Sequence, residues 1–177
     1  MDNVLSMAID IGFDHAGLLD PATLELRSEV RDMCSSDRCR NYGRSWVCPP
    51  ACSTLEEGRA EIGKYSSGIL VQTTAFTEDD FDYETMQRAG ELQQERITKL
   101  RHMLRENFPQ ILALGSGGCR LCGKCTYPDE PCRNPELAIP SMEAYGLWVS
   151  DVCRKNDIPY NYGAGSITYT ACFLINP

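Results

Sequence analysis

Residues 111–132 open Ile111-Leu112-Ala113-Leu114-Gly115-Ser116-Gly117-Gly118-Cys119, continue Arg120-Leu121-Cys122-Gly123-Lys124-Cys125, and reach Cys132 six residues later. A four-residue apolar run, preceded by Pro109 and running into glycines, reads as a short buried strand. That strand delivers the chain directly into a C-x2-C-x2-C-x6-C loop. The spacing has a geometric meaning. A cubane [4Fe–4S] cluster takes four thiolates at tetrahedral corners, and two-residue spacers wrap three of them round one face while the fourth arrives from further along. The bacterial ferredoxin loop instead closes C-x3-C-P, its last cysteine serving another cluster. Here the longer spacer lets Cys132 close the same cluster, and Pro135 follows three residues on. Gly115, Gly117, Gly118 and Gly123 permit close backbone approach. Arg120 and Lys124 are expected to offset cluster charge. The alternatives are zinc, which favours paired C-x2-C knuckles, and structural disulfides.

Upstream lies a second cysteine-dense segment, Cys34-x4-Cys39-x8-Cys48-Pro49-Pro50-x-Cys52. The pairs 34/39 and 48/52 suit either a tetrahedral zinc site or a second [4Fe–4S] cluster. The prolines stiffen the turn between Cys48 and Cys52, because each locks its φ. Arg38, Arg40 and Arg44 cluster here and are expected to lower the thiol pKa values. The radical-SAM spacing C-x3-C-x2-C is absent, and the chain is too short for that barrel.

Composition agrees with a thiolate centre. The chain has 177 residues, which suits one domain over residues 1–177. Ten cysteines stand against two histidines, so any metal must be bound by thiolate. The net charge of −8 excludes a nucleic-acid footprint and a polybasic membrane patch. No apolar run approaches the roughly 18 residues that span a bilayer. Met1-Asp2-Asn3-Val4-Leu5 has no basic n-region, so a cytoplasmic protein is expected. Thiols are held reduced there, which favours metal or redox chemistry over disulfides.

The remaining elements read as α+β, a mixed sheet of about four strands covered by helices. Helices are expected over 3–12 and from Asp20-Pro21 to about Met33. Another runs from a Ser53…Glu56 capping box to about Tyr65. A long helix spans 82–107 and a last one 141–156. Strands are expected over 13–19, 68–76, 111–114 and 167–175. Cys153 reads as a buried packing residue. Cys172, in the last strand, reads the same way but is also a candidate ligand or redox thiol. Tyr160, Tyr162 and Tyr169 flank Gly163-Ala164-Gly165 and read as aromatic packing at a sheet end.

With both loops read, the sequence resembles domain-of-unknown-function family 2284, described as predicted metal-binding proteins of anaerobic bacteria and archaea. The likeness lies in Cys34…Cys39-Arg40-Asn41-Tyr42-Gly43, Trp46-Val47-Cys48-Pro49-Pro50-x-Cys52, the second loop through Cys132-Arg133-x-Pro135, Met142-Glu143-Ala144-Tyr145-Gly146, and Tyr169-Thr170-Ala171-Cys172-Phe173-Leu174. It covers nearly the whole chain and implies a metal-binding, iron–sulfur protein, with no established reaction. A second likeness concerns Met7 to Leu18, which is similar to the opening of the epoxyqueuosine reductase and reductive dehalogenase group. That group implies a corrinoid-binding core, but this chain is much shorter and lacks its paired ferredoxin motifs.

Three functions follow in order. The first is electron transfer through one or two [4Fe–4S] clusters to a redox partner protein. The second is an enzyme, a small iron–sulfur reductase, with substrate or cofactor bound beside a cluster. The third is a zinc-stapled interaction module. The oligomeric state is not legible.

Overall fold

The computed structural model describes residues 1–176. Its helices are α1 (Asp2–Ile11), α2 (Ser28–Cys34), α3 (Leu55–Ile62), α4 (Tyr83–Asn107) and α5 (Val149–Lys155). Its strands are β1 (His15–Leu19), β2 (Ser67–Phe76), β3 (Ile111–Leu114) and β4 (Ser166–Ile175), with a 3₁₀ turn at Pro21–Thr23. The strands form one sheet in the order β1-β2-β4-β3. The α+β class and the four strands are as expected. The pairing is finer than the expected mixed sheet, because all three ladders are antiparallel. The two longest strands, β2 and β4, pair along their whole length, Ser67 opposite Ile175 and Phe76 opposite Ser166.

Both faces of the sheet are covered, which explains why its central strands read as continuous apolar runs rather than alternating ones. Ile69, Val71, Ala171, Phe173 and Ile175 face α1 and α4, where Val4, Ala8, Ile97, Leu100 and Leu104 complete one core. Leu70, Cys172 and Leu174 point the other way, against Ile62, Met142, Tyr145, Leu147 and Val152. Side chains alternate strictly along each strand, so two hydrophobic cores share one sheet. Gln72 is a wholly buried polar side chain of the sheet, beside buried Thr73 and Thr170. Its amide donates to the Pro159 carbonyl at 2.9 Å and Thr170 Oγ1 at 3.3 Å, and its oxygen accepts from Tyr162 at 2.6 Å. Tyr162 itself stacks on His15 at 3.8 Å. No helix among the described residues is long and apolar enough to cross a membrane.

Three expected elements differ. The helix foreseen over 141–156 forms only at Val149–Lys155. Gly146 takes φ +87°, and Leu147 bridges back to Leu26, which holds 141–147 as turns. A side chain at Gly146 would put its Cβ 2.9 Å from the Arg27 carbonyl oxygen, so only glycine fits. The helix foreseen from Asp20 breaks at the same bridge, leaving the 3₁₀ turn and α2. The capping box of α3 sits one residue later than read, with Thr54 and Glu57 exchanging bonds.

α5 is tied to the segment before α2 by charge. Asp151 meets Arg27 at 2.6 Å, and Lys155 meets Glu25 at 2.6 Å. The Arg154 hydrogen bond, and then the Arg154, Arg27 and Lys155 charges, hold the Asp151 carboxyl below its usual value despite partial burial. A depressed carboxylate stabilises the fold above the ordinary carboxylate range of about 4 and loses that contribution as pH falls. Asp151→Asn should therefore lower the urea midpoint at neutral pH. Its gap from the wild type should close as pH drops below about 4, checked by parallel urea titrations across pH.

Candidate metal centre

Two elements place the cysteine loops. α2 ends on Cys34, so the first loop starts at a helix C-terminus and closes at the Thr54 cap of α3. β3 ends at Leu114 and releases the second loop at the sheet edge. The chain returns there, because Gly115 bridges Ser141 and accepts from the Met142 amide at 2.9 Å. Residues 115–118 and 141–144 thus lie together, and the first loop packs on them.

All ten cysteines are free thiols. Cys119, Cys122, Cys125 and Cys132 line one cavity of about 540 Å³. The same wall carries Arg40, Arg44, Lys124 and Arg133 and no carboxylate. The loop is braced locally. Arg133 donates to the Lys124 carbonyl at 3.0 Å, Thr126 to that of Pro131 at 2.9 Å, and Asn134 Nδ2 to Cys122 Sγ at 3.4 Å. Burial raises the Cys119 thiol. Burial also acts on Cys125, but the amides of Tyr127, Trp46 and Thr126 and the Ser45 hydroxyl outweigh it, and that thiol ends below its usual value.

Two of the Cys125 partners come from the first loop, so the loops interlock. Trp46 Nε1 donates to the Glu130 carbonyl at 3.1 Å, and its ring meets Tyr127 edge-on at 5.0 Å. Buried Ser45 is a hydroxyl partner of both Cys48 and Cys125. The Asn41 amide lies so close to Gly118 that a Cβ there would sit 2.4 Å from Nδ2.

Cys34, Cys39 and Cys48 line a second cavity of about 570 Å³ with Gly117, Gly118 and Glu143. Cys52 lies near enough to act on the Cys34 and Cys48 thiols electrostatically. The expected lowering by Arg38, Arg40 and Arg44 is not found. Burial raises Cys34 and Cys52, and pushes Cys48 up to about 11. Arg44 instead pairs with Asp37 at 2.8 Å. The cation that acts on Cys34 and Cys52 is Arg31, one turn before Cys34 on α2. Likewise Arg120 leans toward Glu91 of α4 at 4.0 Å, while Lys124 lines the cavity of Cys119, Cys122, Cys125 and Cys132.

Cys153 and Cys172 are wholly buried. Cys172 sits on the α5 side of the sheet, where burial pushes its thiol up to about 12. It borders neither cysteine cavity. Among the described residues no three His, Cys, Asp or Glu side chains converge on one point tightly enough for a single ion. Seven of the eight loop thiols instead stand on the walls of two cavities. Their chemistry fits a soft metal or a metal–sulfur group.

Sequence reading gave no part to Arg31, Ser45 and Asn134, and named Trp46 and Glu143 only within the segments that carry the family resemblance. Arg31 alone carried a local signal, its i,i+3 spacing from Cys34 on one helix face.

No curated protein matches the chain. Among solved structures it is similar to an epoxyqueuosine reductase from Bacillus subtilis, at 12% identity and a TM-score of 0.46. The alignment takes in 98% of this chain, which spans 45% of that one. Residues 17–175 match domain-of-unknown-function family 2284, and the chain belongs to that family of predicted metal-binding proteins.

Proposed function

We propose that the chain is an electron-transfer protein that holds a [4Fe–4S] cluster in its second loop and a second metal centre in its first. One observation carries this reading. The four thiols of C-x2-C-x2-C-x6-C surround a single cavity of about 540 Å³, ringed by four cations and no carboxylate. A water molecule occupies roughly 30 Å³ in the liquid, so that space suits a many-atom group better than one ion. Four thiolates around a dipositive core leave a net charge of −2, which Arg40, Arg44, Lys124 and Arg133 are placed to offset.

Cys119, Cys122, Cys125 and Cys132 would hold the cluster, which when bound supplies a one-electron couple. The chain's own groups then set the working range. Donors to ligand sulfurs raise the potential; Asn134 donates to Cys122, and the Tyr127 and Thr126 amides of this loop with the Trp46 amide of the first act on Cys125. The partner on this reading is a redox protein that docks at the loop face.

Anaerobically purified protein should be brown, bleach with dithionite and recover with ferricyanide. A colourless protein that dithionite leaves unchanged would exclude the proposal and favour a zinc-stapled module.

A further inference from the structure

The two cysteine cavities are not equivalent. All four cysteines of the second loop line theirs, but only Cys34, Cys39 and Cys48 line the first. Cys52 stands at the edge of that cavity, its thiol engaged by other groups, one of them the Ala144 carbonyl of the cavity wall. Its Sγ accepts from Arg31 Nη2 at 3.4 Å and donates to the Ala144 carbonyl at 3.6 Å. Arg31 is itself fixed, its Nη1 donating to the Ser53 carbonyl at 2.5 Å. The Cys52 amide donates to the Cys48 carbonyl at 3.0 Å, so the backbone is also committed.

The rest of the first cavity is not what a closed centre needs. Val30, Met33, Tyr42 and Pro49 supply an apolar wall, and two opposite charges, Arg38 and Glu143, line the same space. An apolar cavity with a few convergent polar groups is the usual form of a small-molecule site. A metal with three protein ligands keeps a position open for an outside donor, whereas four close it.

We propose that Cys34, Cys39 and Cys48 alone hold the first-loop centre, and that its fourth side opens on a pocket for a small organic thiol. The softness of a thiolate-held metal selects sulfur as the outside donor. The thiol binds as thiolate, its proton leaving to solvent, with no electron transferred. Its apolar body lies against Val30, Met33 and Tyr42, and Arg38 offsets the added charge. The second loop then serves electron transfer and the first serves substrate. The inference rests on the first loop being a metal centre, not on which metal fills it.

The test uses anaerobic holoprotein. Cys52→Ser should keep the wild-type metal content, whereas Cys34→Ser and Cys48→Ser each lose the first-loop metal. Isothermal titration with 2-mercaptoethanol should show saturable binding to wild type and Cys52→Ser that Cys34→Ser loses, whichever metal fills the loop. Absence of binding to the wild type overturns the thiol pocket. Loss of metal in Cys52→Ser equal to that in Cys34→Ser overturns the ligand set. A response to propionate but not to 2-mercaptoethanol overturns the thiol assignment. Should Cys52→Ser fail to fold, the wild type still decides. Cys52 should react with methyl methanethiosulfonate equally fast with and without metal, while Cys34, Cys39 and Cys48 are protected only by metal. Metal-dependent protection of Cys52 would contradict the proposal. A zinc-only protein would exclude the iron–sulfur reading yet leave the metal counts and protection rates valid for this one.

Discussion

Cys125→Ser should empty the second loop and leave the first filled. If both loops hold clusters, iron should fall from about eight to about four per chain, with matching loss of acid-labile sulfide. The effect should be large because Cys125 is the second-loop thiol held below its usual value, through the Tyr127, Trp46 and Thr126 amides and the Ser45 hydroxyl, and serine would present a harder oxygen to the same metal. The interlock adds a second consequence. Ser45 and Trp46 belong to the first loop, so the remaining EPR signal should shift in shape or potential without disappearing. Metal analysis beside EPR reads both outcomes. Loss of all metal would mean that the loops share one site.

The largest effect on stability should come from Phe173→Ala. Phe173 is wholly buried near the C-terminal end of β4, opposite Ile69 of β2 and Ala113 of β3. It packs beneath α1 and α4 in the first core. Removing a buried phenyl ring forfeits its transfer energy and leaves a cavity, which costs about 3–5 kcal/mol. Domains of this kind are stable by only about 5–15 kcal/mol, so the urea midpoint should drop steeply. The exposed Phe81 is the control, and Phe81→Ala should change stability by no more than about 0.5 kcal/mol. Equal effects at the two positions would mean that the sheet face carrying Phe173 is not the core described.

These two predictions draw on different kinds of legibility. The β2, β3 and β4 strands were readable because each is a continuous apolar run with β-branched residues. The second loop was readable because its spacing is local and encodes tetrahedral reach. Pairing direction was not, since β2 and β4 meet across about 90 residues of chain and no local pattern states that register. The helix expected over 141–156 failed for a similar reason. Its period is helical, but the Leu26 to Leu147 bridge and the left-handed Gly146 override it. At the site, local sequence named the eight loop cysteines but could not rank them. That the Cys52 thiol is engaged at the cavity edge depends on Arg31 from α2 and the Ala144 carbonyl. That the Cys125 thiol lies below its usual value depends in part on Trp46, from the other loop.

The most direct test of the central claim is combined metal and acid-labile sulfide analysis, with EPR, on anaerobically purified protein. A [4Fe–4S] cluster in the second loop requires at least about four iron and four sulfide per chain, about eight of each if both loops are filled as clusters, and an EPR signal on reduction. Stoichiometric zinc with no sulfide and no visible absorption would contradict the account.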